Sequence, residues 1–96
     1  MSLLQEIHRH RDIILRTAEA CGLTDVRIFG SVARGEETAE SDIDILVNVA
    51  NAEDPLAFVD FQNTLSAMFS RTIDLVFESG LYRMLRAPIL NEAKPV

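Results

Sequence analysis

The sequence has a single cysteine, Cys21, and no apolar stretch long enough to cross a bilayer. One cysteine excludes an internal disulfide, which fits a reducing compartment. A membrane-spanning helix needs about 20 consecutive apolar residues, and a secretory signal needs an apolar segment near the N-terminus. Because neither pattern is present, the sequence predicts a soluble cytoplasmic protein that does not associate with membranes.

Basic residues are also few. The 9 Lys and Arg residues stand against 15 Asp and Glu residues, which gives a net charge of −6. Proteins that hold nucleic acid through its phosphates usually have the opposite balance. We therefore expect no direct binding to nucleic acid, whereas the negative field would favour a basic protein partner. Solubility alone would explain the charge equally well, and both interpretations stay open.

The length of 96 residues predicts one domain over residues 1–96, and no repeat or linker divides it. Hydrophobic periodicity predicts the order α, β, short α, β, α, β, α. The predicted helices cover residues 3–21, 31–34, a segment starting at Pro55 after Asp54 as N-cap, and 81–93. The predicted strands cover residues 26–29, 43–49 and 73–77, and residues 36–41 form a loop. This order indicates an α+β (mixed α/β) fold, with helices packed on one mixed sheet.

Local signals sharpen four of these predictions. Ser2 and Gln5 form a capping-box pattern at the start of the first helix, and Gly22 is a typical stop signal after it. Pro88 lies inside the last predicted helix, so we expect a break or kink near residues 87–88. The buried stripe of the helix that starts at Pro55 is predicted to consist of Phe58, Phe61, Leu65 and Met68.

The segment with the richest chemistry begins at Gly30, where a predicted strand ends and a short helix begins. Glycine has no Cβ, so the backbone there can approach a phosphate closely. The following turn offers free N–H groups at a helix start, where anions are favoured. The Ser31 hydroxyl can add a donor, and the planar guanidinium of Arg34 can neutralise a phosphate oxygen. Gly30, Ser31 and Arg34 are therefore predicted to bind a nucleotide, although Gly-Ser by itself is more often an ordinary turn.

Three aspartates are the candidate metal ligands. Asp42 and Asp44 lie two residues apart along a strand, so both side chains leave the same face, about 6.5–7 Å apart at the backbone. Asp74, on another predicted strand, would join them if the two strands are neighbours. Mg²⁺ prefers oxygen ligands, and three convergent carboxylates can hold two ions about 3.5–4 Å apart for displacement at phosphorus. Asp42, Asp44 and Asp74 are thus predicted to be catalytic residues and ligands of two Mg²⁺ ions.

Gly-Ser followed by Asp-x-Asp and a later Asp resembles the signature of the DNA polymerase beta-like nucleotidyltransferase superfamily. Residues 30–35 (Gly-Ser-Val-Ala-Arg-Gly) and 41–44 (Ser-Asp-Ile-Asp) are most similar to the minimal nucleotidyltransferase family. Residues 73–76 and 89–93 also look like that family, so the resemblance covers most of the chain. The sequence departs from it at Val32, where relatives often carry a polar or basic residue, and at Pro88, which interrupts a helix that is usually continuous.

The resemblance implies a Mg²⁺-dependent enzyme that transfers AMP from ATP. It also implies a partner, since minimal nucleotidyltransferases resemble the antitoxin half of toxin–antitoxin pairs. In such pairs AMP is transferred to a tyrosine of a small helical ribonuclease toxin of the HEPN type, so a hetero-oligomer with that toxin is expected. Two alternatives stay open. The acceptor could be a small molecule of the aminoglycoside type, or the chain could be a catalytically silent antitoxin that neutralises its partner by binding alone.

A few other residues attract attention but have simpler explanations. His8 and His10 are two apart on a predicted helix and face different directions, so we expect solvent-exposed side chains rather than metal ligands. Cys21 is predicted to be a small core residue. Tyr82, Arg83 and Arg86 form either a solvated surface or a contact with a partner.

Overall fold

The computed structural model describes residues 2–51 and 56–96, and within them it contains five α-helices and four strands. In chain order these are α1 (Leu3–Arg9), α2 (Arg11–Ala20), β1 (Leu23–Phe29), α3 (Gly30–Arg34), β2 (Ile43–Val49), α4 (Ala57–Phe69), β3 (Ile73–Phe77), α5 (Arg83–Glu92) and β4 (Lys94–Pro95). A short 3₁₀ turn, Glu78–Gly80, links β3 to the segment before α5.

The four strands form one mixed sheet in the order β3-β2-β1-β4. β2 runs parallel to β3, and β1 is antiparallel to both β2 and β4. In the β2–β3 ladder, Ile43 pairs with Ile73 and Asp44 pairs with Asp74. The mixed α/β fold class is therefore confirmed, and the strands that carry Asp44 and Asp74 are direct neighbours.

One face of the sheet forms the core. On β2, Ile43, Ile45 and Val47 alternate inward and are buried against α2 and α4, because a strand turns every second side chain to the same face. From the helices, Phe61 and Leu65 of α4 are fully buried. Asp44 lies on the opposite face of β2, so the candidate site is on the side of the sheet away from the α2–α4 layer.

The predicted buried stripe of α4 is confirmed, since Phe58 and Met68 are partly buried beside the core. The predicted helix start at Pro55, with Asp54 as its N-cap, lies outside the described residues. Within them, α4 begins at Ala57.

The predicted first helix over residues 3–21 is wrong in one respect, because two helices meet at His10. The capping box is confirmed: Ser2 Oγ accepts from the Gln5 N–H at 3.1 Å, and Gln5 Oε1 accepts from the Ser2 N–H at 3.0 Å. His10 leaves the helical conformation at φ −102° and ψ 16°. Its Nδ1 bonds the Glu6 carbonyl at 2.8 Å, and its ring meets Phe69 edge-on at 5.8 Å. His10 is therefore a partly buried structural residue, which helical periodicity alone does not reveal.

The C-terminal region differs most from the prediction. α5 continues through Pro88, and the expected break near residues 87–88 is wrong. The carbonyl that Pro88 leaves without an N–H partner is that of Met84, whose residue is 89% exposed, so water can bond it. β4 was not predicted at all; its two residues pair with Arg27 and Ile28 at the edge of the sheet.

The first strand is also longer than predicted, because it begins at Leu23 instead of residue 26. Its register slips between Thr24 and Arg27, and Asp25 in this irregular stretch has φ 53°. A bulge of this kind breaks the alternation of polar and apolar residues. None of the described helices has the length and apolar character that a bilayer crossing requires.

Candidate active site

Asp44 and Asp74 form the centre of the site. They are paired residues of the parallel strands β2 and β3, so their side chains leave the same face of the sheet. The pKa of Asp44 is raised from 3.8 to about 6. Burial is the largest cause, and the nearby charges of Asp74 and Asp42 add to it. The predicted neighbourhood of Asp44 and Asp74 is thus present, and Asp42 is near enough to act on Asp44 by its charge.

This cluster suits a hard cation. Burial and like charge disfavour the ionised form of Asp44 beside Asp74, and a cation between the two carboxylates would relieve the repulsion. All the donors are carboxylate oxygens, which match Mg²⁺. In residues 2–51 and 56–96, however, no three acidic, His or Cys side chains are already arranged to hold a metal ion. The structure therefore brings two of the three predicted ligands together, and Asp42 stays exposed at the start of β2.

Gly30 lies directly against Asp44. Its φ of 72° belongs to the left-handed region, which favours glycine. An ideal Cβ on residue 30 would lie 2.0 Å from Asp44 Oδ2 and 3.0 Å from Asp44 Cγ. The strand register explains this contact, because Phe29 is the partner of Asp44 across β1 and β2. Glycine is consequently required here both by the backbone and by the space that the carboxylate occupies.

α3 begins at Gly30 and is anchored by Val32 and Ala33, which are both in the core. Val32 is fully buried, so the residue that departs from the family pattern faces the core rather than a ligand. Ser31 is partly buried, and its hydroxyl has no hydrogen-bond partner among the described residues. The hydroxyl is therefore available to a ligand at the start of α3.

Arg34 lies at the site, but two carboxylates already pair with it. Its Nε donates to Glu36 Oε2 at 3.1 Å, and its Nη1 donates to Glu92 Oε1. These hydrogen bonds, which Arg34 donates to Glu36 and Glu92, raise the pKa of Arg34. The positive charge of the guanidinium lowers the pKa of Asp44, but this effect is smaller than those that raise it. Since its side chain remains 47% exposed, Arg34 can still be reached by a ligand.

Sequence reasoning did not assign a role to Glu92, although this residue connects the end of α5 to Arg34 on α3. The two residues are 58 positions apart, so no local pattern points to the pair. Only the packing of α5 against α3 brings them together.

The sequence matches the nucleotidyltransferase domain family over residues 7–96. It is also 34% identical over 74 residues to the protein adenylyltransferase MntA of Thermococcus cleftensis, an alignment that spans 77% of this chain and 75% of that one. This chain belongs to the minimal nucleotidyltransferase family.

Solved structures share the fold of this minimal nucleotidyltransferase. A structure provisionally named a minimal nucleotidyltransferase has a TM-score of 0.85 and 34% identity, covering 100% of this chain and 97% of the other. A chain from the crystal structure of a toxin–antitoxin with AMP-PNP has a TM-score of 0.71 and 25% identity, covering 91% of this chain and 69% of the other.

The electrostatics of the site set a condition on its ligand. Asp74 and Asp42 add their charges to that of Asp44, and the charge of Arg34 is already offset by two carboxylates. A bare triphosphate would be repelled by this arrangement. Cations between the carboxylates and such a ligand would offset this repulsion.

Proposed function

We propose that this minimal nucleotidyltransferase uses Mg²⁺ to transfer AMP from ATP to a protein hydroxyl, a tyrosine of a cognate HEPN-type toxin, and so acts as a cytoplasmic antitoxin. The observation that carries the chemistry is the Asp44–Asp74 carboxyl pair seated against Gly30. It provides adjacent oxygen donors beside a turn that a phosphate can approach closely.

Each site residue has a distinct task in this proposal. Asp44, Asp74 and Asp42 would hold two Mg²⁺ ions, which would supply charge neutralisation for the triphosphate and lower the pKa of the acceptor hydroxyl. Gly30 leaves the space that the Asp44 carboxylate needs. The Ser31 hydroxyl donates to a phosphate oxygen, and Arg34 offsets phosphate charge. These residues would hold the α-phosphorus still while the acceptor approaches it.

In the proposed nucleotidyl transfer, one bond to the α-phosphorus forms as another breaks. The tyrosine oxygen forms a bond to the α-phosphorus while the bond from that phosphorus to the pyrophosphate oxygen breaks. Pyrophosphate leaves with the electron pair of the broken bond, and the tyrosine proton is lost to solvent. The site contributes positioning and charge stabilisation to this step.

Two comparisons support a protein acceptor. The relative from Thermococcus cleftensis is named a protein adenylyltransferase, and the neighbour with AMP-PNP is a toxin–antitoxin. No feature of the described residues favours a small-molecule acceptor over a protein, and the carboxyl pair argues against a silent binding protein. A fold that needed only to bind would gain nothing from two like charges side by side.

Intact-mass spectrometry tests the proposal. A cognate HEPN-type protein, sought in the reading frame next to this one, should gain mass in steps of one AMP when incubated with this chain, ATP and Mg²⁺. Asp44→Asn and Asp42→Asn should abolish the gain without altering the circular dichroism spectrum, and Asp12→Asn, an exposed aspartate of α2, should leave it intact. Labelling of an aminoglycoside or a nucleic-acid end, with the partner protein unmodified, would overturn the acceptor class. Neutralisation of the toxin without added mass would favour the silent antitoxin.

A further inference from the structure

The first turn of α5 and Tyr82, the residue just before it, expose large apolar side chains. Tyr82 is 78% exposed, Met84 is 89% exposed and Leu85 is 53% exposed. No residue of α5 is buried, and the helix has only 10 residues and contains Pro88. Short helices in water are stabilised mainly by burying one face. The α5 surface, defined here as residues 82–86, consists of the first turn of the helix with its N-cap, and it exposes apolar area that another molecule can cover.

The charge of the α5 surface is opposite to that of the protein. Arg83 and Arg86 lie on it, and residues 81–91 contain no acidic side chain, whereas the whole chain has a net charge of −6. Arg86 is within 4.0 Å of Glu78, but Arg83 forms no ion pair with any described residue. Such a surface complements an acidic patch with apolar side chains. It does not complement itself, so contact between the α5 surfaces of two copies is disfavoured.

The far end of the same helix reaches the candidate active site. Glu92, its last residue, pairs with Arg34 on α3. An α-helix rises about 1.5 Å per residue, so Met84 and Glu92 are about 12 Å apart along the axis. A protein that covers the α5 surface would therefore lie alongside the nucleotide site, where an acceptor side chain must be presented.

We propose that the α5 surface is the docking site for the protein that receives AMP, and that this acceptor presents an acidic patch with apolar side chains to it. The identity of the occupant rests on the proposed function. The assignment of the α5 surface as a docking site rests on the exposure of Met84 and Leu85, the local positive charge and the connection of α5 to Arg34.

The test separates docking from nucleotide binding. Met84→Glu and Leu85→Glu would each place a carboxylate against the acidic patch of the HEPN-type partner. Each should weaken the calorimetric affinity for that partner by at least about tenfold and lower the labelling rate at limiting partner concentration. Affinity for Mg·AMP-PNP should not change. Ile13→Glu on α2 is the matched control, because Ile13 is 51% exposed, and it should change neither quantity.

Arg83→Ala provides an independent test of the charge argument. It should slow association with the partner at low salt and reduce the dependence of association on ionic strength. An unchanged salt dependence would overturn the acidic character assigned to the partner.

Three results would overturn the docking site. Wild-type labelling by Met84→Glu and Leu85→Glu would do so while leaving the proposed function intact. An equal loss of partner affinity in Ile13→Glu would do so as well. If the isolated protein sediments as a dimer that Leu85→Glu dissociates, the α5 surface binds a second copy instead. Failure of the wild type to label the partner would contradict the proposed function itself. In that case, partner affinity that is lost in Leu85→Glu would still support the docking site.

Discussion

Gly30 and Asp44 are so close that an ideal Cβ on residue 30 would lie 2.0 Å from Asp44 Oδ2. This contact joins the two halves of the candidate site, since Gly30 begins the turn proposed for phosphate and Asp44 is the most buried of the proposed metal ligands. A side chain at residue 30 would have to displace the carboxylate or move the turn. The position of the Asp44 carboxylate therefore depends on the absence of a side chain at residue 30.

Gly30→Ala should damage both stability and transfer. The φ of 72° alone costs a non-glycine residue about 1–2 kcal/mol. Displacement of the Asp44 carboxylate should additionally lower Mg·ATP affinity and transfer. Gly35→Ala is the matched control: its φ is 73°, but nothing lies within 4 Å of its Cβ. Urea unfolding should show a loss of stability in both variants, whereas labelling of the partner should be lost only in Gly30→Ala. Equal labelling by the two variants would show that the contact with Asp44 has no role in catalysis.

Much of this arrangement was predictable, because the chemistry is local in sequence. β2 and β3 have the predicted bounds, since alternating apolar residues mark both strands. The Gly-Ser turn and the Asp-x-Asp pair are contiguous motifs. What the sequence left open was whether Asp74 lies beside Asp44, because the order of strands in a sheet is a tertiary property.

The remaining differences also come from tertiary contacts. His10 interrupts a helix-compatible sequence through its contact with Phe69. β4 consists of two residues, too few to show any periodicity, and it exists because β1 offers an edge to pair with. Arg34 and Glu92 pair across 58 positions of the chain, so no short window of sequence contains both residues.

The raised pKa of Asp44 predicts how the stability of the metal-free protein depends on pH. The folded protein binds this proton more tightly than the unfolded chain does, since the pKa rises from 3.8 to about 6. The resulting stabilisation is complete below pH 3.8 and is lost as the pH rises through about 6. After a discount for the solvent exposure of the site, the loss should be about 1 kcal/mol. Urea unfolding in EDTA should show this decline in the wild type, and the difference between wild type and Asp44→Asn isolates it from other groups. Parallel curves for the two proteins would contradict the prediction.

Ser31→Ala should weaken Mg·ATP binding more than it weakens folding. The hydroxyl has no protein partner among the described residues, so its removal leaves no protein group unsatisfied. Loss of a hydrogen bond to a charged phosphate costs about 1.5–3 kcal/mol, or roughly 10- to 150-fold in affinity. Calorimetry with Mg·AMP-PNP measures the affinity, and Ser79→Ala, on an exposed turn, is the control. An unchanged dissociation constant would make Ser31 a turn residue only.

Asp74→Asn should stabilise the metal-free protein although it removes a residue proposed for catalysis. Above the pKa of Asp44, which is about 6, the Asp44 and Asp74 carboxylates are both ionised and repel each other across β2 and β3. An asparagine keeps the shape of the side chain, and its amide can donate to the Asp44 carboxylate. At pH 7.5 in EDTA the variant should therefore be more stable than wild type, by about 1 kcal/mol after solvent screening.

Two further measurements make the prediction about Asp74 decisive. At pH 4.5 the gain should shrink, because Asp44 of the wild type is then mostly protonated and no longer repels Asp74. Mg²⁺ with AMP-PNP should raise the wild-type melting midpoint by mass action and raise that of Asp74→Asn much less. Asp74→Asn should thus stabilise the metal-free protein and yet reduce the stabilisation that Mg²⁺ with AMP-PNP provides. Substitution of a purely structural aspartate would not do both. If Asp74→Asn melts below wild type in EDTA and gains as much from Mg·AMP-PNP, Asp74 supports the fold and is not a metal ligand.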